Sequence, residues 1–181
     1  MYRALFLILQ VLLDELGFYL FIDVLREKYL NPVCQVLYPD LCGSGLDSHK
    51  AFIVQYSEGG DLDLGYHFDN AEVTLNVALT HSDPYKGGDL FFGSMRNEPD
   101  NEKNWKRYPH KPCTGILHRG QQRHGAYSIT SGCRYNLIVW MRASSVRNRK
   151  CPMCDLEPDL EETVGYGDGF TGPTVDVCAL T

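Results

Sequence analysis

The triplet His67-Phe68-Asp69, with His124 and Arg134 further along, gives this chain of 181 residues two imidazoles, a carboxylate and a guanidinium that could work together. Two imidazoles and one carboxylate hold one triangular face of a non-haem Fe(II) and leave its other positions open for chemistry. A guanidinium fork nearby is suited to gripping the carboxylate of a small ligand. With six histidines and 23 acidic residues, a His-x-Asp triplet arises easily by chance. The elements that carry the triplet therefore decide what it is worth.

Those elements read as strands. Ala51-Phe52-Ile53-Val54-Gln55 is a short apolar run, and Val73 to Leu79 alternates Val, Leu and Val with Thr74, Asn76 and Ala78, the period-two pattern of a half-buried strand. Residues two apart in an extended segment share a face, so His67 and Asp69 can aim at one metal. For the third donor, His118 and His124 compete. After His124 the chain runs Ala126-Tyr127-Ser128-Ile129, turns at Thr130-Ser131-Gly132 and returns as Arg134 to Met141, which predicts a hairpin. That hairpin sets His124 and Arg134 on neighbouring antiparallel strands and makes His124 the preferred ligand. His118, before the Arg119-Gly120 break, reads as a polar strand-end residue near the pocket mouth. An inward Arg134 would be a buried charge in want of a partner, and no acidic residue lies between Glu102 and Asp155. A ligand carboxylate would serve; the plain alternative is a surface arginine. Tyr135, Leu137 and Val139 are as apolar as Asn136 and Ile138, so periodicity leaves the inner face open.

At this point the residues carry a likeness. Tyr56, the stretch Leu64-Gly65-Tyr66-His67-Phe68-Asp69, the strand Thr74 to Leu79, the segment Gly87-Gly88-Asp89-Leu90-Phe91-Phe92 and the His124 to Arg134 spacing resemble the catalytic domain of 2-oxoglutarate and Fe(II)-dependent dioxygenases of the prolyl and lysyl hydroxylase type. The match runs from about Ser48 to Arg142, and the tail with Cys151-Pro152-Met153-Cys154 and Gly167 to Thr171 extends it. The resemblance implies a metal held by His67, Asp69 and His124, a cosubstrate whose far carboxylate sits on Arg134, and contacts to it from Tyr56 and Asn76. It further implies Fe(II), 2-oxoglutarate and L-ascorbate as cofactors. The implied reaction is hydroxylation of a C–H bond, with release of succinate and CO2. Taken alone, Tyr56 reads as a packing residue. The lysyl-hydroxylase likeness points to a protein side chain as substrate, with nucleobase and small molecule still in play. A cupin-like metal-binding protein is one alternative, although cupins commonly carry His-x-His here. A catalytically silent jelly-roll scaffold is another.

Composition sets bounds. One domain of this length buries a sizeable core, and a formal charge of −6 argues against general nucleic-acid binding. A local basic stretch, Lys103, Lys106, Arg107, His110 and Lys111 with Trp105 and Tyr108 interleaved, reads as a solvated part of the long segment from His81 to Cys113. Ala4 to Leu13 is apolar except Gln10, but no small-x-small cleavage site follows and Asp14-Glu15 arrives at once, so neither a secretory signal nor a membrane span is expected. Leu5, Leu9, Leu12, Leu16 and Tyr19 recur at helical spacing, which predicts one or two amphipathic helices over residues 3–30, broken near Gly17. Seven cysteines, an odd number, fit reduced thiols in the cytoplasm or nucleus. Cys151 and Cys154 read as a turn with two thiols rather than half of a zinc site, which needs four ligands.

The expected architecture is mainly β with N-terminal α: a double-stranded β-helix, or jelly roll. Residues 1–47 form a helical support region, 48–143 the dioxygenase core, and 144–181 an irregular acidic extension. Oligomeric state is not readable from these residues.

Overall fold

A computed structural model describes residues 10–79 and 85–160. Two sheets dominate it. The larger contains, in spatial order, β1 (Gln10–Leu12), β2 (Ser48–Ser57), β11 (Cys133–Arg142), β4 (Val73–Ala78) and β8 (Gly115–Arg119). The smaller contains β3 (Leu64–His67), β9 (Gln122–Ala126), β6 (Leu90–Met95) and β7 (Lys106–Tyr108). A two-strand ladder of β5 (Lys86–Gly87) and β10 (Ile129–Ser131) closes one end. All pairings are antiparallel. The arrangement is the jelly roll expected from the sequence.

The long β2–β11 pairing is the backbone of the fold, with ten residues in continuous register from Cys133↔Ser57 to Arg142↔Ser48. This register explains why the pattern in β11 does not alternate. On one face Phe52, Val54 and Tyr56 pack with Ile129, Ile138 and Trp140, toward the smaller sheet. On the other face Ala51, Val73, Val139 and Met141 pack against Ile22, Cys34, Cys42 and Leu46 of the N-terminal layer. A strand covered on both sides is apolar on both sides.

The N-terminal layer differs from expectation. Helices α1 (Tyr19–Leu25), α2 (Asn31–Leu37) and α3 (Pro39–Cys42) are linked by a π turn at Arg26–Leu30, and Pro32 stands in the first turn of α2, where a missing N–H costs nothing. Gln10–Leu12, however, is a strand on the edge of the larger sheet, with Gln10 opposite Val54. A tripeptide beside an unpaired sheet edge gains more from ladder hydrogen bonds than from an isolated helical turn. The break at Gly17 is real, with φ +80°. Residues 3–9 of the predicted helices lie outside the described part.

In the C-terminal region, Ser144–Arg147 forms a one-turn helix α4 and residues 148–160 are irregular. Cys151 and Cys154 sit on a turn in which the Asp155 amide donates to the Cys151 carbonyl at 2.9 Å. The acidic residues from Glu161 onward lie outside the described part. Among the described residues no helix is long and apolar enough to cross a membrane.

Candidate metal centre and carboxylate pocket

Between the two sheets the chain brings His67, Asp69 and His124 together. One ligand atom from each lies within 4.8 Å of the others. His67 and His124 are directly opposed across the β3–β9 ladder, and their rings are 4.4 Å apart. Asp69 follows β3, and its backbone amide donates to the Gly120 carbonyl at 2.8 Å. Gly120 also donates to the Glu72 carbonyl at 3.0 Å, and a Cβ there would meet the Ala71 carbonyl oxygen at 2.0 Å. Only glycine allows the β8–β9 turn to lie this close to the Asp69 loop.

Hydrogen bonds at Nδ1 fix the orientation of both rings. His67 Nδ1 donates to the Gly65 carbonyl at 2.8 Å and His124 Nδ1 to the Gln122 carbonyl at 2.9 Å. A carbonyl only accepts, so in both rings the lone pair of the neutral imidazole is on Nε2, which faces Asp69 at 3.5 and 3.7 Å. Burial pushes His124 down to about 3 and keeps it neutral. Burial would raise the Asp69 carboxyl, but the surrounding imidazoles, His124 foremost, outweigh it and hold the group well below the usual range. Burial also works against charge on His67, but the Asp69 carboxylate beside it wins and raises that imidazole. The Thr74 hydroxyl, from β4 in the opposite sheet, donates to Asp69 Oδ2 at 2.6 Å. Converging lone pairs and a buried carboxylate make a poor core without a cation, and two nitrogens with one oxygen suit Fe(II). Asp69 and His124 are buried, whereas the His67 side chain is 26% exposed, so the site opens on the β3 side.

Arg134 points inward and is fully buried. Its Nε donates to Asn136 Oδ1 at 2.8 Å, Nη2 donates to His110 Nδ1 at 3.0 Å, and Nη1 donates to the Gly88 carbonyl. Its partners are all neutral; among the described residues it makes no ion pair. Of five N–H donors, three are engaged. The Tyr56 and Tyr85 rings flank the guanidinium at 5.3 and 5.6 Å. Asn76 accepts from Asn136 Nδ2 at 2.6 Å and so steadies the residue that steadies Arg134.

Two expectations change. The predicted hairpin does not exist: β9 and β11 belong to different sheets, because the chain pairs briefly with β5 at β10 and, at Gly132 with φ +79°, crosses to the larger sheet. His124 and Arg134 therefore stand on different sheets. His118 is not at a pocket mouth. It is 4% exposed, on β8 and in register with Thr74.

Sequence reasoning missed His110, which it placed in a solvated basic loop. That segment contains strand β7, and His110 itself is buried, held down to about 4 by burial and then by Arg134, with Nε2 donating to the Thr114 carbonyl at 3.1 Å. Thr74 and Asn136 were also missed. Their signal was available: lone polar residues at alternate positions of apolar strands mark the face that turns toward a polar site.

No family model matches the chain. Several curated proteins do. It is 51% identical over 181 residues to "2-oxoglutarate and iron-dependent oxygenase domain-containing protein 2" of Xenopus tropicalis, covering 94% of this chain and 50% of that protein. The protein of the same name from Homo sapiens is 51% identical over 94% of this chain and 49% of its own length. "2-oxoglutarate and iron-dependent oxygenase domain-containing protein ICU11" of Arabidopsis thaliana is 44% identical over 77% of this chain and 36% of its length. The chain spans about half the length of the first of these relatives. Among solved structures, a prolyl 4-hydroxylase from Phytophthora capsici superposes with TM-score 0.54 at 13% identity, over 76% of this chain and 48% of that one. A non-haem alpha-ketoglutarate-dependent epimerase, SnoN from nogalamycin biosynthesis, gives TM-score 0.50 at 13% identity, over 72% and 61%. These two likenesses are of fold.

Proposed function

This chain belongs to the 2-oxoglutarate and iron-dependent oxygenase family, and we propose that it holds Fe(II) through His67, Asp69 and His124 and uses 2-oxoglutarate and dioxygen to hydroxylate a C–H bond of its substrate, with release of succinate and CO2. The observation that carries this reading is the pairing of a three-donor cluster, two of its members buried, with a buried guanidinium that has only neutral partners. A metal site alone would suit a storage or structural role. A desolvated cation in the same interior calls for an anionic ligand.

The iron, when bound, supplies activation of dioxygen coupled to decarboxylation of the 2-oxo acid. The chain's own residues bind and orient. Arg134 offers its two remaining N–H donors to the far carboxylate of 2-oxoglutarate, and Tyr56 packs its ring against the guanidinium. Asn76 acts through Asn136 on the aim of Arg134. Burial of Asp69, His124 and Arg134 excludes water on three sides, while the exposed edge of His67 leaves substrate a way in. L-ascorbate serves as the reductant that keeps iron ferrous, and a protein side chain is the substrate class we favour.

The test is succinate release from 2-oxoglutarate by purified chain with Fe(II) and ascorbate, with and without candidate peptides. Turnover that disappears in Asp69→Ala supports the reading. Succinate no greater than that of Asp69→Ala would leave a silent scaffold.

A further inference from the structure

A third imidazole, that of His118, stands beside the metal centre without belonging to the triad. His118 lies on the larger sheet, opposite Thr74, and is buried between Phe92 and His124, with ring distances of 5.1 and 4.5 Å. Its Nδ1 donates to the Arg119 carbonyl at 3.0 Å. This is the same device that fixes His67 and His124, and it again leaves the lone pair on Nε2. That nitrogen is buried without a hydrogen-bond partner among the described residues. It stands 4.0 Å from Asp69 Oδ2, close to the 3.7 Å that separates His124 Nε2 from the same oxygen. A side chain that only filled the space beside Phe92 would be better apolar, since an unmatched buried lone pair is costly.

We propose that His118 is a fourth protein donor of the metal centre, one that coordinates the metal from the larger sheet while 2-oxoglutarate is absent and gives way when the cosubstrate takes its positions. Donors on a common first-row metal, at about 2.1 Å from it, stand roughly 3–4 Å apart; Nε2 lies at that spacing from Asp69 Oδ2 but outside the set of three donor atoms that already lie together, so the ring moves when it binds. The arrangement fills one open position of the resting site with protein, and so protects the metal from oxygen before the cosubstrate arrives. The proposal rests on His67, Asp69 and His124 being the metal site.

Cobalt(II) reports it without turnover. In the Co(II)-loaded chain, each coordinated imidazole contributes one paramagnetically shifted Nδ1–H proton resonance, and here all three Nδ1–H groups are bonded to carbonyls, which slows their exchange with solvent. The expected result is three shifted resonances for wild type with Co(II) alone, two after addition of 2-oxoglutarate, and two in His118→Gln with or without it. His118→Gln should bind Co(II) more weakly than wild type, by roughly tenfold to a hundredfold, only when 2-oxoglutarate is absent. Two resonances in wild type without cosubstrate would overturn the proposal and leave the triad standing. Three that persist with 2-oxoglutarate would overturn the displacement. No shifted resonance at all would sink the triad as well. Thermal unfolding of the metal-free variant controls for folding, and His118→Asn, whose amide is too short to reach, must behave as His118→Gln if Nε2 is the donor lost.

Discussion

Replacing Arg134 by leucine separates the cosubstrate from the metal, and its consequences can be worked out from the contacts. The guanidinium serves three buried acceptors, Asn136 Oδ1, the Gly88 carbonyl and His110 Nδ1. Each acceptor left without a donor costs about 1–3 kcal/mol, so Arg134→Leu should destabilise the fold by at least about 3 kcal/mol before relief of the buried charge is counted. That is a large share of the roughly 5–15 kcal/mol that holds a domain together, so the comparison belongs at low temperature with the unfolding midpoint measured in parallel. The cosubstrate effect is separate. A charge-assisted hydrogen bond contributes about 1.5–3 kcal/mol. At about 1.4 kcal/mol per decade, 2-oxoglutarate affinity should fall by roughly tenfold to somewhat over a hundredfold. Iron content should stay at wild-type level, because His67, Asp69 and His124 are untouched. Arg134→Lys should lie between, since a point charge cannot reproduce a fork that reaches three acceptors. Calorimetric titration of the metal-loaded, oxygen-free protein measures this. A folded, metal-replete Arg134→Leu protein with wild-type affinity for 2-oxoglutarate would refute the reasoning, because the buried cation would then have some other purpose.

Thr74→Val deletes the hydroxyl that orients Asp69 while leaving every donor atom in place, and should weaken metal binding by roughly tenfold to a hundredfold, read by competition with a chromogenic chelator. Buried His49 and His110 are both held down to about 4, first by burial, against an ordinary value of about 6.5. The unfolded chain therefore takes up protons before the folded one does. Stability should be full above about pH 6.5 and fall toward pH 4, by up to about 1.4 kcal/mol per pH unit for each histidine. Urea titrations check this, and His49→Phe, which keeps the stack on Tyr19, should make the slope shallower; an unchanged slope would remove His49 from the account. Gly120→Ala should push the β8–β9 turn off the Ala71 carbonyl and lower metal content and unfolding midpoint together. Loss of neither would mean that the turn has room to move.

That His67, Asp69 and His124 come together could be read from the sequence because His67 and Asp69 are two apart in an extended segment, although the strand itself ends at His67, and His124 stands on a strand with few rivals. That Arg134 would have no acidic side chain beside it could be read from the absence of a nearby acid. Its direction could not, because a strand packed on both sides has no polar face to betray its orientation. His118 was misplaced for a different reason. The Arg119-Gly120 break looks like a strand leaving the fold, yet the turn folds back against Asp69 through the Gly120 carbonyl. His110 was hidden by its basic neighbours, since composition describes a segment and not the one ring within it that turns inward. The edge strand at Gln10–Leu12 depends on a partner far along the chain, which no local periodicity can reveal.

The larger sheet divides its labour by parity. Along β11, Arg134 and Asn136 look into the chemical interior, while Leu137, Val139 and Met141 look onto the helices. A substitution scan down this strand should therefore produce two kinds of defect that interleave. Val139→Ala and Met141→Ala should cost about 2–5 kcal/mol of stability through cavities and leave cosubstrate affinity unchanged in the molecules that remain folded. Asn136→Ala, set between such positions, should do much of its damage to ligand binding. The same ladder of backbone hydrogen bonds thus carries two independently adjustable surfaces. Variation in the helical layer can retune how durable the protein is without touching what it binds, and variation in the interior can alter the ligand without loosening the floor beneath it.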